Sequence, residues 1–191
     1  DAAKVIVALD ECTGYPTLPV ISETNPRLHE EAQSGLYSIQ SFVKSGAEAQ
    51  IYRAAGVRGK DVALKLFNRD VPLPRVVDEQ FYAAAVHHTS LVRVDSYNQW
   101  SDGRYYIAFD WISERSLRDE ITNGLRPDSE SFVRGAKQLL DAISSLHQNI
   151  DEGIPSPILH NDIKPENILL GHAQRLVLID FGAASKPHIG T

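Results

Sequence analysis

Apolar and polar positions recur with readable periods along most of the chain. Residues 37–43 set Tyr37, Ile39, Ser41 and Val43 against Ser38, Gln40 and Phe42, the alternation of a strand. Residues 61–67 do the same, with Val62, Leu64 and Leu66 on one face and Ala63, Lys65 and Phe67 on the other. Residues 91–97 and 104–111 predict two more strands joined at Asp102-Gly103. Helical spacing takes over at 75–87, where Val76, Glu79, Tyr82 or Ala83, and Val86 recur; Pro72 and Pro74 bar a long helix before it. A short helix is expected from Leu117, with Ser116 as its cap and Asp119 favouring its positive end, and Gly124 to Pro127 breaking it. A longer helix over 129–147 carries Phe132, Ala136, Leu139, Leu140, Ile143 and Leu146 as its expected buried stripe. Residues 148–157 read as a polar link held extended by Pro155 and Pro157. Near the start, residues 5–9 predict a short strand, and Pro16, Pro19 and Pro26 make 13–28 a boundary segment.

Chemistry concentrates between residues 159 and 184, where two strand-like apolar runs each abut polar residues suited to phosphoryl transfer. Asp162 can orient a hydroxyl and accept its proton, and Lys164 can steady a moving phosphoryl group. Asn167 and Asp180 offer hard oxygen ligands for Mg2+.

These residues carry a resemblance. His160, Asp162 and Asn167 fall at the intervals of the catalytic loop of protein kinases, Asp180-Phe181-Gly182 resembles their metal-binding triplet, and 18 positions separate Asp162 from Asp180. The chain thus resembles a bacterial-type serine/threonine protein kinase. The resemblance implies an α+β, two-lobe kinase-like fold: a small antiparallel sheet lobe with one main helix, and the first part of a mainly helical large lobe. It divides the chain into an N-terminal extension over 1–36, the small lobe and hinge over 37–112, and a partial large lobe over 113–191 that reaches the start of the activation segment.

The same resemblance assigns the remaining site residues. Ala63-Leu64-Lys65 is similar to the Val-Ala-Ile-Lys motif, so Ala63 would cover adenine and Lys65 would bind the α and β phosphates of ATP. Glu79, 13 residues before Val92, stands where the family places the ion-pair partner of that lysine; Asp78 and Glu120 are the other acids weighed for the role. Phe109 matches the gatekeeper, and the backbone of Asp110 and Ile112 would bond the adenine edge. Ile51 and Leu169 would line the nucleotide. Of the glycine-rich loop only Gly46 matches, with Lys44 and Ala49 standing where glycines are usual; an ordinary hairpin accounts for that loop about as well. Lys164, two residues after Asp162, resembles the serine/threonine branch, so the implied partner is a protein bearing Ser or Thr, with ATP and Mg2+ as cofactors.

Composition narrows the surroundings. With 42% apolar and 23% charged residues the chain reads as an ordinary globular protein. A formal charge of -6 leaves no electrostatic footprint for nucleic acid. No run reaches the roughly 18 apolar residues of a membrane helix, and no leader pattern opens the sequence. Cys12 is the single cysteine, which suits a reducing compartment and an expected cytoplasmic location. His87 and His88 lack a third ligand at metal-binding spacing and read as helix-end or surface residues, and His29 falls next to the boundary segment without a chemical role. The sequence contains no methionine, so it reads either as a segment of a longer protein with further domains or as one from which methionines were omitted.

Asn161 departs from the family pattern, in which an arginine there can clasp a phosphorylated activation segment; a neutral amide cannot make that contact. A pseudokinase or regulatory ATP-binding module is the alternative reading, favoured by the poor glycine-rich loop. A small-molecule phosphotransferase and a purely structural domain also remain.

Overall fold

The computed structural model describes residues 37–187 apart from 57–58, 101, 114, 125–128 and 173–174. The strand expected over 5–9, the boundary segment, Cys12 and His29 lie outside those residues. The described chain forms two compact units, one from 37–76 and 95–111 and the other from 77–94 and 112–187.

The first unit is built on antiparallel pairing of short β-rich runs. Strands β1 (Ser38–Ser45), β2 (Ala49–Ala55), β3 (Asp61–Phe67), β4 (Val94–Gln99) and β5 (Tyr105–Asp110) form one sheet in the order β1-β2-β3-β5-β4. Val62, Leu64 and Leu66 bury one face of β3 against Tyr52, Tyr106 and Trp100, as their alternation predicts. In β1 the alternation slips. The register with β2 shifts between Ile39 and Ser41 and again between Phe42 and Lys44. Phe42 therefore packs on the core, its ring 5.6 Å from that of Tyr52, where strict alternation puts it opposite Ile39.

Helix α1 (Leu73–Ala85) starts two residues earlier than the spacing predicts. Pro74 sits in its first turn, where a helix has no use for the missing N–H. Val76, Glu79 and Ala83 are its buried positions.

In the second unit, α2 (Leu117–Thr122) opens with a capping box: Ser116 Oγ accepts from the Asp119 N–H, and the Asp119 carboxylate accepts from the Ser116 N–H at 2.8 Å. Helix α3 (Ser129–His147) has the predicted bounds but a rotated face. Leu139, Ala142 and Leu146 are buried, whereas Phe132 and Leu140, the latter 65% exposed, face outward. The link after α3 is more ordered than expected. Ile150–Asp151 (β6) and Ile154–Pro155 (β7) pair across a tight turn whose central residues, Glu152 and Gly153, both have positive φ. The last ribbon pairs β8 (Ile168–Leu170) with β9 (Leu176–Leu178). Part of the strand predicted over 91–97 joins this ribbon instead of the sheet, because Val92 N–H donates to Leu178 O and Leu178 N–H to Ser90 O. Fully buried Leu146, Ile158 and Leu178 anchor the unit, each side chain worth about 1.5–3 kcal/mol of transfer free energy.

Candidate active site

The β8–β9 ribbon sets the positions of the polar cluster. Ile168 pairs with Leu178, and the Ile179 N–H donates to Asn167 O at 2.9 Å, so Asn167 and the residue before Asp180 lie side by side at one end of the ribbon. Asn167 is buried, and its Nδ2 donates both to Asp162 O at 3.0 Å and to Asp162 Oδ2 at 2.8 Å. Both bonds engage the amide nitrogen, which turns the amide oxygen to the other side as a possible cation ligand. Lys164 Nζ reaches the same Asp162 Oδ2 at 2.7 Å. That ammonium, more than the Asn167 amide, holds the Asp162 carboxyl below its usual range, and Asp162 raises Lys164 in return.

Asp180 adopts a left-handed backbone, φ 65 and ψ 77, and its Oδ1 accepts the Gly182 N–H at 3.4 Å. An aspartate tolerates this region better than most residues, and such strain is typical of functional positions. Among the described residues no three His, Cys, Asp or Glu side chains gather around one point. A carboxylate and an amide oxygen fit Mg2+, which takes few protein ligands and fills its shell with phosphate and water.

His160, only 2% exposed, supports the cluster from beneath. Its Nε2 lies 3.1 Å from Ile179 O, its Nδ1 lies 3.4 Å from the Asp162 nitrogen, and its ring meets the Phe181 ring at 4.8 Å. One neutral tautomer satisfies both: Nε2–H donates to the carbonyl and Nδ1 accepts from the amide. Burial pushes the imidazole pKa down, against the opposing pull of Asp180 and Asp162.

Asn161 was read in the sequence only as a missing charge. Its backbone is left-handed at φ 62, and its Nδ2 donates to Ala183 O at 3.0 Å and Ser185 Oγ at 2.8 Å. Leu159 and Ser185 exchange backbone hydrogen bonds at 2.8 and 2.9 Å alongside. The residues after Asp180-Phe181-Gly182 are thereby fastened to the catalytic loop by neutral contacts. The serine at 185, two residues past the alanine that accepts the same amide, was the unread signal.

The first unit gathers the residues assigned to the nucleotide. Register pairs Ile51 with Lys65, Lys65 with Ile107, and Ala63 with Phe109, so Ile51, Ala63, Lys65 and Phe109 share the sheet face opposite the Val62 core. Asp110 pairs with Val62 and puts its side chain on that other face. The Trp111 N–H bonds Asp61 O at 3.3 Å, so alternation turns the backbone groups of Asp110 away from β3. Gly46 N–H donates to Ala49 O at 2.8 Å, closing the β1–β2 hairpin. In the second unit, the Leu169 strand residue bridges Ser116, and Ile112 lies against Gly171, where an added Cβ would come within 3.4 Å.

The acids weighed beside Lys65 separate by environment. Asp78 is exposed, Glu120 pairs with Arg115 at 2.8 Å, and Glu79 is 0% exposed. A carboxylate so buried demands a cation or hydrogen-bond donors. His88 is a structural residue: its Nε2 lies 3.2 Å from Asp141 Oδ2 and its Nδ1 accepts the Ser90 N–H.

Comparisons with known proteins point to one family. The serine/threonine-protein kinase PrkC of Bacillus subtilis (strain 168) is 30% identical over 158 residues, covering 80% of this chain and 23% of its own length. Serine/threonine-protein kinase A of Synechocystis is 28% identical over 170 residues, 82% of this chain and 32% of its own. The serine/threonine-protein kinase pkn2 of Myxococcus xanthus is 26% identical over 159 residues, 78% of this chain and 18% of its own. The chain thus spans less than a third of the length of these relatives. A family model described as the protein kinase domain matches residues 37–191, taking in both the β3 lysine and the Asp162, Asn167 and Asp180 cluster. With most of its length inside that match and its polar cluster built as described, the chain belongs to the protein kinase domain family.

Proposed function

We propose that the chain carries ATP- and Mg2+-dependent transfer of the γ-phosphoryl group to serine or threonine hydroxyls of protein substrates, with 37–112 as small lobe and hinge and 113–191 as the beginning of the large lobe. The observation that carries this reading is the Asp162 carboxylate, held ionised by Lys164 and fixed in orientation by the buried Asn167 amide. Asp162 orients the hydroxyl and takes its proton as the new O–P bond forms. Lys164 moves from Asp162 toward the transferring group and offsets its charge. Lys65 binds the α and β phosphates and is held by Glu79, whose burial supplies the demand for a cation. Asn167 and Asp180 would hold Mg2+, which when bound would neutralise phosphate charge. Ile51, Ala63 and Leu169 enclose the adenine, Phe109 limits the pocket's depth, and the backbone of Asp110 and Ile112 bonds the base edge. The reaction is set in the cytoplasm, in line with the single cysteine of the chain.

The test is transfer of labelled γ-phosphate to protein by the full-length kinase, beside Asp162→Asn. Transfer is expected to fall by about 10²–10⁴ in the variant while Mg-ATP still binds. Wild-type protein that binds Mg-ATP without transferring phosphate would establish the regulatory reading instead. One observation favours that alternative: Gly46 N–H is engaged by Ala49 O, and the loop that follows is held by Asn68, whose N–H donates to Glu48 O and whose Nδ2 donates to Ala47 O, both at 2.8 Å.

A further inference from the structure

Lys60, immediately before β3, lies outside every motif named above. Its Nζ stands 2.7 Å from Asp95 Oδ1 and 2.6 Å from Asp110 Oδ1, although the side chain is 40% exposed. Gly56 N–H donates to Lys60 O at 2.7 Å, and a Cβ on Gly56 would press on the Tyr37 ring at 3.2 Å. Asp95 is itself anchored. Its Oδ2 accepts the Tyr37 hydroxyl at 2.8 Å, and the Tyr37 ring packs edge-on against Tyr106 at 5.9 Å. The two carboxylates raise the Lys60 pKa, so it stays charged between them.

Trp111, the next residue, is fixed from the opposite face of the sheet. Its N–H bonds Asp61 O, and Arg53, in a 2.5 Å ion pair with Asp61, lies over its ring at 5.0 Å. Asp110 and Trp111 are thus tied to the sheet by side chains on its two opposite faces, and the backbone of Asp110 is turned away from β3. Without Lys60, the Asp95 and Asp110 carboxylates would lose the cation they share.

We propose that Lys60 is a positioning residue for the nucleotide: by holding Asp110 against Asp95 it sets the backbone that bonds adenine. This rests on the assignment of the Asp110 backbone to the adenine edge. Lys60→Ala in the full-length kinase is expected to raise KM for ATP by about three- to tenfold, as for loss of a networked, partly exposed ion pair. The inhibition constant of adenosine should rise by the same factor, because both ligands share the base, and kcat should be retained. Lys60→Arg keeps the charge and should restore both constants. Asp110→Asn, a milder change that keeps the side chain's shape, should move both in the same direction and decides the matter if Lys60→Ala does not fold.

Adenosine and ATP constants unchanged in both Lys60→Ala and Asp110→Asn would overturn the proposal, as would a fall in kcat with adenosine unaffected. Binding of both ligands can be followed by calorimetry without turnover. A wild-type protein that transfers no phosphate therefore counts against catalysis, whereas adenosine affinity indifferent to Lys60 counts against the tether.

Discussion

The β1–β2 loop and the catalytic loop are both short connections assigned to the phosphates, yet they are held in opposite ways. The catalytic loop is held by side chains: His160, Asn161, Asp162, Lys164 and Asn167 each make at least one side-chain hydrogen bond to a neighbour in the site. The β1–β2 loop is held largely through main-chain atoms, with Gly46 N–H on Ala49 O and Asn68 on the carbonyls of Ala47 and Glu48. Arg75 adds an ion pair to Glu48 at 3.1 Å. Where side chains carry the geometry, residue identity is constrained; where backbone carries it, many residues serve.

That contrast can be broken or sharpened by substitution. The largest effect is expected in the catalytic loop at Asn167→Ala, which removes both bonds to Asp162 and the amide oxygen assigned to Mg2+. Transfer should fall by about 10² or more, and stability by about 1–3 kcal/mol for the lost buried bonds, measured by initial rates and denaturant melts. An unchanged rate would detach Asn167 from the chemistry.

Asn161→Ala should cost about 1–2 kcal/mol, because two hydrogen bonds are lost and alanine fits a left-handed backbone less well than asparagine. Faster amide exchange at Ser185 is the local readout. Since these contacts are neutral, wild-type transfer is expected to survive phosphatase treatment; strict dependence on a phosphorylated activation segment would contradict that.

His160 gives a prediction in pH. Its folded pKa lies below its ordinary value of 6.5, so its contribution to stability is complete above that pH. As pH falls from there toward the folded pKa, the unfolded chain takes up the proton first, and stability declines by at most about 1.4 kcal/mol per pH unit. His160→Asn should flatten that part of the profile in melts taken from pH 7 downward. Asp162, held below its ordinary value of 3.8 by Lys164, begins to lose its contribution only as pH falls toward that value.

The smallest effect belongs to the other loop. Gly46 has no positive φ, and an added Cβ would meet Ala49 O at an ordinary 3.5 Å. Gly46→Ala should change stability by no more than about 0.5 kcal/mol. A large loss of ATP affinity with that stability intact would mean that a ligand, not the fold, requires the glycine.

The same division explains what could be read from the chain alone. The face on which Lys65 stands was legible because strand alternation sets it. The bounds of α3 were legible from periodicity, but Phe132 and Leu140 share the apolar spacing with buried Leu139 and Leu146, and only packing chooses between the faces. The bulges in β1 and the pairing of residues 90–92 with β9 depend on partners distant in sequence, which no local pattern encodes. Lys60 escaped notice for the opposite reason: an exposed-type residue beside a turn has no local mark of being claimed by two aspartates.

The turn between β6 and β7 has a practical consequence. Glu152 and Gly153 are exposed, and beyond Gly153 a Cβ would meet nothing within 4 Å. A reporter peptide spliced into that tip would meet open solvent and add chiefly loop-closure entropy, about 0.6 kcal/mol per doubling of length. It offers a handle for tracking this kinase domain while leaving the polar cluster's own bonds in place.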